Sequence, residues 1–182
     1  MTIGYRLPKA WQKACRVFQL LCAFVALFAI WAYFTMGVVD VTVDAYWQEL
    51  SPEVQSAVSY SPLKKGLLWT ISTIAYFAPV LIVYATFSVF SKLASGEVFI
   101  PPVTRRIRFL GLTIILYALS RILMNTLMIL ALTYDNPPSM KVLSFMVNGQ
   151  QITMLMVGVI ILLIGQVFTK AVSMAEEHKQ FV

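Results

Sequence analysis

At 182 residues the chain has room for one domain, but 59% of its residues are hydrophobic and only 12% are charged, whereas soluble domains are roughly 45–50% apolar. With a mean hydropathy of +0.79, that much apolar surface requires lipid as its solvent. The net charge of +6 does not point to nucleic acid, because the basic residues stand at the ends of apolar runs, where they govern membrane orientation, and form no patch interleaved with aromatics.

In chain order, a basic segment with Arg6, Lys9, Lys13 and Arg16 precedes the first apolar run, 17–37. The run is too long for a signal peptide and no small-residue cleavage site follows it in WAYFTMGVVD, so it reads as a retained helix. Cys15 and Cys22, seven apart on one helix face, are too distant to bridge and read as small apolar side chains. The longest connection, 38–65, carries Asp40, Asp44, Glu49 and Glu53. A solvated loop is the plain reading of these acids, and an acidic ligand-binding face the sharper one. Ser51-Pro52-Glu53 has the form of a helix start, with a serine cap, proline at the first position and an acid near the dipole's positive end. It predicts a short surface helix over 52–59, with Trp47 and Tyr60 as interfacial aromatics. A second span follows at 66–90, a connection at 91–106 and a third span at 107–133. The fourth covers 148–169, its start obscured by the polar Asn148–Gln151 stretch.

These elements predict an all-α membrane protein, a single domain of four transmembrane helices in an antiparallel bundle. Ten Lys and Arg residues flank the spans on the side of the N-terminus, the 91–106 connection and the tail, and only Lys64, Lys65 and Lys141 flank them on the other. The positive-inside rule therefore puts both termini in the cytoplasm.

Arg121 is the residue most in need of explanation. It lies 13 residues from both Arg108 and Tyr134, roughly 20 Å from either end of its helix, where insertion costs about 2.5–3.5 kcal/mol. Thr113, Tyr117, Arg121 and Asn125 recur every four residues and form a polar ribbon on one side of the third helix. The second span offers Tyr76 and Tyr84 at comparable depth, and Pro79 frees the Ala75 carbonyl. Tyr84 is the expected acceptor for the guanidinium. No Asp or Glu lies inside a span, so a proton relay or cation path has no acidic carrier. Two readings of Arg121 stand. It pins helices together through phenols, carbonyls and Asn125, or it receives an anion, a lipid headgroup or a partner's carboxylate. Gln150 and Gln151 enter the fourth span from outside, either to form a second polar layer with Asn125 or to cap the helix. Gly158 and Gly165 permit close helix approach.

Enzyme chemistry finds no support. His178 is the only histidine, no paired carboxylates face each other in a span, and no glycine-rich phosphate loop follows a strand. The composition implies neither a cofactor nor a catalytic metal.

Two segments carry a family resemblance. LASGEVFIPPVTRRIRFLG, 93–111, has a Gly-Glu-x-Phe turn, a proline pair and a basic helix start ending in glycine; FTKAVSMAEEHKQFV, 168–182, runs a helix into an acid-rich turn with a closing apolar pair. Both resemble the corresponding parts of a family of small bacterial membrane proteins, DUF2975. The resemblance implies a four-helix inner-membrane protein, often encoded beside a small helix-turn-helix regulator, with no established activity. Independently of it, Gly96 permits a turn, Thr104 can cap the third helix, and Arg105, Arg106 and Arg108 are expected to meet lipid phosphates at about 1 kcal/mol each. Segment 171–180 is expected to continue the fourth helix into the cytoplasm, with Phe181-Val182 either frayed or docked beside Phe99, and Glu176 or Glu177 near those arginines.

The function expected is that of a non-enzymatic accessory or regulatory membrane protein binding a partner protein or lipid through its bundle. Its partners would be membrane lipids, a partner membrane protein or a second copy, and a cytoplasmic regulator reached through 91–106 and 171–182. The alternative is a transporter or channel component acting as an oligomer around Arg121.

Overall fold

The computed structural model describes residues 7–59, 61–96, 101–145 and 147–180, the side chains of 175–180 excepted. The described helices are α1 (Lys9–Thr35), α2 (Val38–Glu49), α3 (Pro52–Ala57), α4 (Pro62–Phe77), α5 (Val80–Leu93), α6 (Pro101–Thr133) and α7 (Gly149–Gln180), with a 3-10 turn at Pro138–Met140. No strand occurs among the described residues. Four runs are long and apolar enough to cross a membrane: α1, α4 with α5, α6, and α7 over Gly149–Met174. The fold is that of an all-α, multi-pass membrane protein.

Local chemistry explains where the helices break. Gly37 adopts φ 56°, a left-handed conformation that costs glycine little, and turns the chain from α1 into α2. Pro79 has no amide proton and cannot extend the ladder through its own nitrogen, so the second run divides into α4 and α5. The ladder resumes where the Ile82 and Val83 amides donate to the Pro79 carbonyl at 3.0 and 3.2 Å. Two Ser-Pro starts differ in their caps. Ser61 Oγ accepts from the Lys64 amide at 3.2 Å, whereas Ser51, the expected cap, makes no side-chain capping bond. α6 opens at Pro101, with both prolines in its first turn, where their missing donors cost nothing. Thr104 therefore lies inside the helix, and its hydroxyl bonds back to the Pro101 carbonyl at 3.0 Å in place of capping.

Where a loop with one short helix was expected, the connection 38–65 holds two. The additional helix, α2, presents Val43, Tyr46 and Trp47 to a core of Leu50, Leu68, Met128, Ile129, Ala131 and Leu132. Asp40, Asp44, Glu49 and Glu53 are all exposed. From α3, Gln55 Nε2 donates to the Trp47 and Leu50 carbonyls at 2.8 and 3.0 Å, tying α3 to the C-terminal end of α2.

The spans pack as a row. α1 lies antiparallel to the second run: Phe18 stacks on Phe90 at 5.1 Å, Tyr76 Oη donates to the Ala29 carbonyl at 2.9 Å, and Tyr33 bonds Thr73 at 2.8 Å. The second run packs against α6, and α6 most extensively against α7. Glycines set that last approach. A Cβ on Gly111 would stand 2.6 Å from the Leu162 nitrogen, and one on Gly158 2.7 Å from Ile115 Cγ1. Gly165 faces Arg108 in the same way, so numbering rises along α7 as it falls along α6, and the pair is antiparallel. α1 and α7 flank the row without packing extensively on each other.

At one end of the row, Lys64, fully buried, pairs with Asp135 and donates to the Leu132 carbonyl at 2.9 Å. It thereby caps the C-terminal end of α6 and fastens the start of α4 to it. Ser59 Oγ also donates to Asp135 at 2.7 Å. At the other end, Arg106 Nη1 donates to the Ser88 carbonyl at 2.6 Å, and the Leu7 amide to the Gly96 carbonyl at 2.9 Å. Tyr60, Phe99, Phe181 and Val182, with the contacts expected of Glu176 and Glu177, lie outside the described residues.

Candidate functional site

The four-residue ribbon on α6 divides by environment. Thr113 is buried and bonds back to the Phe109 carbonyl at 2.8 Å. Asn125 is buried, and its side-chain oxygen accepts from the Tyr46 hydroxyl of α2. Between them, Tyr117 and Arg121 are half-buried. Among the described residues Arg121 has no hydrogen-bond or ion-pair partner. Its charge is nevertheless felt nearby. Burial pushes the Tyr46 phenol above its ordinary pKa, while Arg121 pulls it back down and Glu49 raises it.

Arg121 stands where two cavities meet. One, of about 420 Å³, lies between α2, α6 and the start of α7, and its polar lining includes Glu49, Asn125, Asn148, Gln150 and Gln151. Gln151 also caps its own helix, its Oε1 accepting from the Asn148 amide at 2.7 Å. The capping expectation is thus met, whereas Gln151 lines a cavity with Asn125 without a hydrogen bond to it. The second cavity, of about 320 Å³, lies between α1, α4, α5 and α6 around the Pro79 break. Its walls are mostly apolar, with Val25, Ala26, Ala29, Val80 and Val83. Thr42, Tyr117 and Arg121 line both cavities.

Of the expected neighbours, Tyr76 and Ala75 line the second cavity with Arg121. Tyr76 spends its hydroxyl proton on Ala29. Tyr84, the expected acceptor, is 63% exposed and lines neither cavity. Tyr84 lies eight residues beyond Tyr76, about 80° around a helix of 3.6 residues per turn, so the two could not both face Arg121.

Two contributors had little or no signature in the sequence. Ser72 lines the apolar cavity, is 1% exposed, and its Oγ has no hydrogen-bond partner; a serine amid apolar residues was the only sign. The α2 residues Thr42 and Tyr46 had no sign, since their segment was expected to be a loop, and Glu49 was read only as one of its four acids. The basic cluster does not act as a unit. Arg106 is committed to Ser88, and Arg108 lays its aliphatic stem against Gly165. Arg105 is exposed beside Pro101, Pro102 and Phe109 in a separate surface cleft.

Fold and site together define a multi-pass membrane protein with a cation, unpaired among the described residues, between a polar and an apolar cavity. Residues 44–182 match the family described as Protein of unknown function (DUF2975), and the chain belongs to that family. Comparison with curated proteins and with solved structures finds no match.

Proposed function

We propose that the protein is a non-enzymatic binding protein of the bacterial cytoplasmic membrane, both termini inside, that receives an anionic group at Arg121. One observation carries this reading: a half-buried arginine without a partner among the described residues faces open volume on two sides. A charge kept at such depth solely to pin helices would have its donors spent on neighbouring acceptors. Here Asn125 is taken by Tyr46 and Tyr76 by Ala29, which favours the binding role over glue.

The test is mild-detergent purification of wild type and Arg121→Gln, with mass spectrometry of what travels with each. An anionic lipid, metabolite or partner retained by wild type and lost from the variant is the expected result. Identical inventories would refute the reading. Transport by an oligomer is the second reading, favoured by the meeting of two cavities at one residue; flux of the retained species into proteoliposomes separates carrier from binder.

A further inference from the structure

The two cavities differ in chemistry, and that difference identifies the ligand more closely. The polar one has Asn125, Gln150 and Gln151 in its wall. It also contains the N-terminal end of the 32-residue α7, whose free amides and dipole favour negative charge. Glu49, exposed in the same wall, opposes a second negative charge. The balance suits a single anionic headgroup.

A small inorganic anion would need nothing beyond this half. Yet Arg121 and Tyr117 also border the apolar cavity, whose volume falls at the lower end of the roughly 300–1,000 Å³ found for small-molecule sites.

We infer that the ligand is an acyl amphiphile. Its carboxylate or phosphate sits at Arg121 in the polar half, and its hydrocarbon chain runs between α1 and the Pro79 break. The inference rests on the anion-binding reading above and narrows it. Free fatty acids and anionic lipids share this chemistry.

The experiment uses the full-length protein in nanodiscs of phosphatidylcholine, titrated with acetate and with octanoate. Burial of each methylene contributes about 0.8 kcal/mol, so octanoate should bind at least tenfold more tightly than acetate. Ala29→Phe, which fills the apolar half, should bring octanoate down to the level of acetate and leave acetate unchanged. Arg121→Gln should lose both. Equal affinities for acetate and octanoate in wild type would overturn the amphiphile while leaving the anion site standing. Binding that ignores Arg121→Gln, or no binding of either acid, would overturn both readings. Displacement of octanoate by a short-chain phosphatidic acid assigns the site to a lipid, and retention of octanoate assigns it to a free acid; both support the inference.

Discussion

Arg121 and Tyr46 make opposite demands on the fold. Arg121 contributes no hydrogen bond or ion pair among the described residues and carries the cost of a desolvated charge, so Arg121→Leu should leave the melting temperature in detergent unchanged or raise it. A clear fall would mean that the guanidinium is glue after all. Tyr46→Phe should do the reverse. It removes the partner of buried Asn125 and should destabilise by about 1 kcal/mol, read as a lower melting temperature with α-helical signal retained. The depth and four-residue company of Arg121 were legible because helical period and the price of intramembrane charge are local properties of a sequence. Its lack of a partner was not, because that depends on where Tyr46 and Tyr76 spend their protons, both on groups far along the chain.

Among the elements, α6 and α7 meet through glycines, and α4 carries Gly66, whose added carbon would meet nothing. Gly158→Leu should force the pair apart and destabilise by at least about 1–3 kcal/mol, the usual range for overpacking. Gly66→Ala, with no atom within 4 Å of the added carbon, should stabilise by about 0.4–1 kcal/mol through loss of unfolded-chain freedom. Thermal melts of the two variants in one detergent compare them directly. The four spanning runs were readable from apolar length alone, and α7's glycines from their spacing. α2 was not. Its VVDVTVD stretch is rich in β-branched residues with low helix propensity, and only packing of Val43, Tyr46 and Trp47 on the α4–α6 core makes it a helix. The joint between α4 and α6 is also pH-sensitive. Hydrogen bonds from Lys64, then from Ser59, hold the Asp135 carboxyl below its ordinary value of 3.8. Because the folded value is the lower one, the stabilisation is complete above about pH 4. It is lost as pH falls below that and through the folded value. Melting temperature should therefore be insensitive to Asp135 ionisation between pH 7 and 5 and drop below pH 4, and Asp135→Asn should flatten that drop.

For the whole molecule, the excess of basic residues at one end predicts orientation. Reporter fusions after Lys65 should read as external and those after Arg106 and Val182 as internal; an external C-terminus would reverse the assignment. Orientation also bears on how the chain is made. Lys64 is one of only three flanking bases on the sparse side, it is fully buried, and its carboxylate partner lies 71 residues later. While the first two spans emerge, the carboxylate that pairs with Lys64 is not yet made, and it follows only just beyond α6. The Lys64–Asp135 pair is therefore a record that the third span has been made. A nascent chain cut before Asp135 holds Lys64 without that carboxylate at the mouth of its second span, and it should be cleared by membrane proteases faster than a chain cut just after Asn136.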